Sequence, residues 1–266
     1  MAALFDSHTH SVYSHDCDTP LQENLAAAAK QGLLGLCTTD HCEVNCFDAV
    51  WLQRLQSGRQ QLAALRPQWA GQLVLTQGIE LAYPQSDPVL ARQIIAAAPY
   101  DFVLGSMHGS PAKKGMFDPA TGPRRFAQIL RTYFGELLQV VQLDCFDVLA
   151  HLTYPLRYAS PQTAAALDLS AFDRQIDEIF AVLIKNGRGL ELNVSGLYQS
   201  YGKPFPTVGY LRRFYQLGGR IVTLGSDAHH SADIGRQLAA GAQLLRQAGF
   251  TAYCYFRGRR PVFLDL

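Results

Sequence analysis

The sequence predicts a single α/β domain over residues 1–266, built as a closed, TIM-like (β/α)7 barrel. Three observations carry this expectation. Short apolar runs alternate with longer helical stretches seven times, and no low-complexity linker interrupts them. Repeated βα units of this kind imply a mostly parallel sheet with strands buried on both faces. Nearly all the histidines fall just after one of the apolar runs, and in a closed barrel those positions converge on one face. An open doubly wound sheet would string the same residues along an edge.

The elements follow in order. The first strand starts at Ala3-Leu4-Phe5. Thr19-Pro20-Leu21-Gln22 reads as a capping box with proline at the first helical position; its helix runs to about Gln31 and stops at Gly32. Leu33 to Thr38 is a strand ending at Thr39-Asp40-His41, and a helix from Ala49 to Leu65 follows. Leu73 to Thr76 is a strand ending at Gly78-Ile79-Glu80. A helix over Pro88–Ala98 leads to the strand Phe102–Leu104, which ends at Ser106-Met107-His108. A helix from Arg124 to Leu143 precedes the strand Asp147–Ala150, which ends at His151. A helix over Leu169–Asn186, closed by Gly187, leads to the strand Leu190–Val194. A helix over Val208–Leu217 leads to the strand Arg220–Leu224, which ends at Gly225-Ser226-Asp227-Ala228-His229. A helix over Ala232–Ala248, closed by Gly249, precedes a final short strand within Phe250–Leu266.

Composition narrows the function. With 48% apolar residues the chain can bury one large core, and 23 Lys+Arg against 22 Asp+Glu leaves a net charge of +1. That balance favours no stable nucleic-acid partner. The opening MAALFDSHTH has neither a basic nor an apolar segment of a secretory signal, and no apolar run approaches a membrane span. A cytoplasmic protein with no membrane partner is expected; its oligomeric state is left open. The six cysteines include no CxxC pair and read as reduced thiols.

The chemistry lies in the strand ends. His8 and His10, at i and i+2, share one face of a strand and suit zinc, iron or manganese. Asp16 adds an oxygen ligand, with His15 as its alternative. Asp40 can orient a neighbouring imidazole, as can Asp6. His41, Glu80, His108, His151, Asp227 and His229 complete the set, with Gly225 allowing a tight turn. Buried carboxylates need compensating positive charge. Nine ligands are too many for one zinc, which uses about three or four, but suit two or three divalent ions of zinc, iron or manganese. Such a site would be a net cation suited to a small phosphorylated substrate.

The strings HTH, SHD, TDH, GIE, SMH, AHL and GSDAH, in this order and spacing, resemble the polymerase-and-histidinol-phosphatase (PHP) superfamily. The stretches DFVLGSMH, FDVLAHL and LELNVSGL are similar to its histidinol-phosphate phosphatase subgroup. The resemblance implies a distorted (β/α)7 barrel, in agreement with the seven units above, and a phosphomonoesterase that converts L-histidinol phosphate to L-histidinol and phosphate in histidine biosynthesis, with a hydroxide bridging metals as nucleophile. Another small phosphate ester, a nucleotide or a nucleic-acid end is the alternative substrate. The resemblance also implies one metal on His8, His10, Glu80 and Asp227, a second on Glu80, His108 and His151, and a third on Asp16, His41 and His229. Arg157 is the implied phosphate-binding arginine. Tyr198 stands where the subgroup carries a second one, so Lys203, or loop cations such as Lys113, Lys114, Arg124 and Arg125, would reach the phosphate instead.

Overall fold

The computed structural model describes residues 4–109, 118 and 120–266. The expected start at Ala3 and the loop cations Lys113 and Lys114 lie outside the described residues. β1 (Phe5–Thr9) leads through α1 (Leu21–Lys30) to β2 (Gly35–Thr38) and, past a bend at Thr39-Asp40, to the short β3 (His41–Glu43). Helix α2 (Ala49–Leu65) precedes the long β4 (Val74–Ala82), α3 (Pro88–Ala96) precedes β5 (Phe102–Ser106), and α4 (Pro123–Val141) precedes β6 (Val148–Leu149). Then come α5 (Pro161–Ala166), α6 (Asp173–Lys185), β7 (Gly189–Asn193), α7 (Val208–Gln216), β8 (Val222–Gly225) and α8 (Leu238–Ala248), and last a hairpin of β9 (Ala252–Arg257) and β10 (Arg260–Asp265).

The barrel strands run in the order β1-β2-β4-β5-β6-β7-β8, each parallel to the next. These are the seven strands expected. The ring closes between β1 and the turn after β8, where Asp227 N donates to His8 O at 2.8 Å and His10 N donates to Ala228 O at 2.9 Å. Closure therefore runs through candidate metal ligands, which ties the barrel's distortion to the site. At the opposite end the hairpin packs on the first residues of the strands. Tyr255 stacks on Phe5 at 4.4 Å, Phe256 stacks on Phe102 at 4.9 Å, and the Tyr253 hydroxyl accepts from Phe5 N.

Several expected elements shift for identifiable reasons. Glu80 lies inside β4, not after it, because β3 adds a strand that holds β4 extended beyond Gly78; His41 sits opposite Glu80 in that pairing. The final strand is a hairpin turning at Gly258 and Arg259, both at positive φ. The expected capping box does not form: the Thr19 hydroxyl donates to the His229 carbonyl, and α1 has no side-chain cap. The expected helix over Ala232–Ala248 begins only at Leu238, because Gly235 and Gln237 both take positive φ. Elsewhere local rules hold. Asp48 caps α2 through Val50 N and Trp51 N, and Gly32, Gly187 and Gly249 stop their helices at positive φ.

Candidate metal centre

Six imidazoles and three acids meet at the carboxyl ends of the strands, where they border or underlie a cleft of about 440 Å³. Glu80 is its midpoint and is fully buried. Its Oε1 lies 2.9 Å from His108 Nε2 and 2.8 Å from His151 Nε2. Its Oε2 lies 2.8 Å from His41 Nδ1, 3.4 Å from His8 Nε2 and 3.6 Å from His10 Nε2. Asp227 Oδ1 lies 3.6 Å from His8 Nε2 and 3.4 Å from His10 Nε2. Asp16 reaches His41 Nε2 and His229 Nε2, both at 3.4 Å. The triads His8–His10–Asp227, Glu80–His108–His151 and His10–His41–His229 each place their ligand atoms within 4.8 Å of one another.

Outer partners decide which nitrogen faces the cluster. His8 Nδ1 lies 2.6 Å from Glu191 Oε1, which turns Nε2 inward. His10 Nδ1 donates to the Ser14 hydroxyl at 2.9 Å, and Ser14 donates in turn to Asp40 Oδ1. His108 Nδ1 lies 2.8 Å from Glu43 Oε1. Each ring then turns its Nε2 towards the cluster. His8 Nε2 and His10 Nε2 stand 3.0 Å apart, beside the buried oxygens Glu80 Oε2 and Asp227 Oδ1. Ring nitrogens and carboxylate oxygens packed this closely in a buried site need protons or metal ions between them. The donor set, imidazole with carboxylate, fits zinc, iron or manganese.

The charges agree. Burial opposes protonation of His8, but Glu191, Glu80 and Asp227 outweigh it and hold its pKa well above the usual histidine value. Against the same burial, carboxylates raise His41 to about 9 and His108 to about 10. Burial and the neighbouring His229 and His41 push His10 well below. Glu80 and Asp227 stay far below the usual carboxylate range despite burial: His108, His8 and His41 act on the first, Arg157 and His8 on the second. The acids therefore demand positive charge, which either protons or metal ions satisfy.

Some expected roles change. Asp40 touches no imidazole directly; it accepts from Ser11 N, Ser11 Oγ and Ser14 Oγ, and acts on His10 through Ser14. Asp6 braces the β8 turn, accepting from Ser226 N, Ser226 Oγ and Gly235 N. His15 lines the cleft half exposed, 3.9 Å from Asp16, while Asp16 itself spans His41 and His229. Arg157 lines the cleft and donates to Asp227 Oδ2 at 2.6 Å and Ser195 Oγ at 2.9 Å. Lys203 is exposed and does not line the cleft; its backbone carbonyl lies against Gly196. Arg124 and Arg125 are exposed on the first turn of α4 and are likewise off the cleft. Glu191 and Glu43, the acids that hold Nδ1 of His8 and His108, were not singled out by the sequence reading. Gly225 serves a different purpose from the one expected: the positive φ falls on Asp227, at 55°. A Cβ on Gly225 would stand 2.5 Å from both Glu191 Oε1 and His8 Cβ. Gly225→Ala is therefore expected to displace the His8–Glu191 pair and lower metal affinity about 10–100-fold, measured by metal titration of the stripped protein.

A barrel that gathers imidazoles and acids at its strand ends defines a class of metal-binding hydrolase scaffolds. The PHP domain family model matches residues 6–195, and the chain belongs to that family. A probable histidinol-phosphatase of Thermotoga maritima is 30% identical over 99% of this chain and 100% of its own length. The histidinol-phosphatase of Lactococcus lactis is 25% identical, covering 96% of this chain and 95% of its own. The crystal structure of the Lactococcus lactis histidinol phosphate phosphatase, complexed with zinc, L-histidinol and phosphate, superposes with a TM-score of 0.84 at 24% identity over 97% of this chain and 98% of that one.

Proposed function

We propose that this protein is a metal-dependent phosphomonoesterase that hydrolyses L-histidinol phosphate to L-histidinol and phosphate, a step of histidine biosynthesis in the cytoplasm. The observation that carries the reading is Glu80, one oxygen towards His108 and His151, the other towards His8, His10 and His41. A carboxylate so shared is suited to bridge two ions. His8, His10, Glu80 and Asp227 would hold one, Glu80, His108 and His151 a second, and Asp16, His41 and His229 a third. The whole of residues 1–266 is read as one unit serving this site. Among the described residues no helix is long and apolar enough to cross a membrane.

Divalent ions held here would supply Lewis acidity to the phosphoryl oxygens and acidify a water towards neutral pH. The chain's own groups do the rest. Arg157 stays cationic because Asp227 outweighs the effect of burial. Its Nη2 serves Ser195 and Asp227, which leaves Nη1 and the buried, unpartnered Nε for phosphoryl oxygens. Tyr154 braces the guanidinium from one side at 4.8 Å. Glu191 and Ser14 keep Nδ1 of His8 and His10 occupied, so both rings stay oriented through turnover.

The test is phosphate release from L-histidinol phosphate against p-nitrophenyl phosphate, with and without chelator. Strong preference for the first, abolished by chelation, is expected; equal rates would remove the substrate assignment.

Metal uptake should also release protons. His41 and His108, raised to about 9 and about 10, carry protons at pH 7.5 in stripped protein and must lose them to bind metal. Because both are raised in the folded state, the stability they confer on stripped protein is complete below about pH 6.5, the usual histidine value. It is lost as pH rises through about 9 and 10. The melting temperature of stripped protein should therefore fall between pH 7 and 10 while its metal affinity rises. Zinc addition in weak buffer with an indicator dye reads the protons directly, and uptake without acidification would contradict the charge balance.

A further inference from the structure

The cleft has a second wall, built away from the ligands. Trp51 stands on the first turn of α2, partly exposed, and lines the cleft. Two devices fix its position. Asp48 caps the helix directly through Trp51 N at 3.1 Å and Val50 N at 2.8 Å. One turn along, Arg54 donates to Ser14 O at 2.8 Å, which clamps α2 to the loop carrying His15. His15 meets the indole edge-on at 5.5 Å, and the ring of His15 also lies 5.1 Å from that of His41. The indole is thus held one imidazole away from the metal cluster.

The other aromatic side chains of the cleft are already engaged. Tyr154 is buried, with Arg157 over its face at 4.8 Å, His151 packed at 4.8 Å, and its hydroxyl bonded to Tyr158. Tyr83 is buried with its ring edge-on to His108. Tyr158, also on the cleft, packs edge-on to Tyr154 at 5.7 Å and is tied to it through the shared hydroxyl bond. Trp51 stands on the other element of the cleft wall, α2, where its ring contact is the edge of His15 and the indole borders open cleft. A large aromatic side chain kept rigid at the mouth of a charged site is informative where a scattered surface apolar residue is not. Its use is a flat partner: aromatic pairs prefer offset-stacked or edge-to-face geometry and add to simple burial.

We propose that Trp51, braced by His15, is the specificity-determining residue that seats the planar ring of the substrate's alcohol while the phosphate lies at the metal cluster. This rests on the phosphomonoesterase reading of the cleft. A ring joined to its ester oxygen by a short carbon chain can place the phosphate on the cluster and the ring on the indole at once.

The experiment uses the metal-loaded full chain and four probes: L-histidinol phosphate and 2-phenylethyl phosphate as ring-bearing esters, inorganic phosphate as a ringless inhibitor, and metal content as a control. Trp51→Ala should raise KM for ring-bearing esters about tenfold, with kcat within about twofold and the inhibition constant of phosphate unchanged. Trp51→Leu keeps apolar bulk without a flat ring and should raise KM alike, and Trp51→Phe should restore most of the wild-type value. An unchanged KM in Trp51→Ala, a rise in Trp51→Ala that Trp51→Leu abolishes, or an equal loss of phosphate affinity would overturn the assignment. Preference of the wild type for 2-phenylethyl phosphate over L-histidinol phosphate would instead remove the substrate reading, and the Trp51 variants would still decide the role of the indole.

Discussion

Glu80→Gln should cut phosphate release about a thousandfold, roughly 4 kcal/mol of transition-state stabilisation, and leave the folded protein short of metal. The reasoning is geometric. Glu80 is fully buried and lies within 2.8–3.6 Å of five imidazoles, so both of its oxygens are shared. An amide keeps the shape but withdraws the charge and turns one acceptor into a donor aimed at bare ring nitrogens. Neither of the two adjoining ligand sets can then share a carboxylate. Circular dichroism should show an intact fold, since the β4 pairing with β3 and β5 is made by backbone groups. Metal content and kcat should fall together. A variant with normal metal content and normal kcat would show that Glu80 is only a satisfied core acid.

Glu191→Gln should weaken metal binding about 10–100-fold without removing a ligand. Glu191 is buried inside β7 and has two tasks: Oε1 holds His8 Nδ1 at 2.6 Å, and Oε2 accepts from His151 N at 2.8 Å. A glutamine can preserve only one of these as an acceptor. His8 then loses the charged partner that fixes its tautomer and raises the basicity of Nε2. Because the ligands themselves remain, excess zinc or manganese should restore most of the kcat, unlike in Glu80→Gln. Failure of excess metal to restore activity would place Glu191 in a different role.

The contrast between these two acids shows how far the sequence could be read. Glu80 was legible because it ends an apolar run, where a barrel collects its functional groups. Glu191 lies between Leu190 and Leu192 in an apolar strand, and a buried charge there already signals a paired partner; what the chain order hides is that the partner is His8, 183 residues away. Glu43 was hidden for another reason. It shares a face with His41 only because β3 exists, and that strand is held by pairing with β4, which no local pattern announces. The same tertiary pairing is why β4 runs on past Gly78. Asp40 was seen as an orienting acid, but its action through Ser14 depends on a loop conformation that spacing does not specify. Lys203 shows the limit for loop cations: charge identifies a phosphate-binding candidate, while reach is set by the backbone of the loop. The helix stops at glycine, by contrast, were readable one residue at a time, because positive φ is a local property.

The most direct measurement is the metal content of the purified protein, set beside its rate on L-histidinol phosphate before stripping, after stripping and after reloading. Two or three divalent ions per chain are expected, with activity lost on stripping and regained as the ions return. A chain that hydrolyses the ester at full rate while carrying less than one ion would show that the imidazoles and acids around Glu80 assemble for some other purpose.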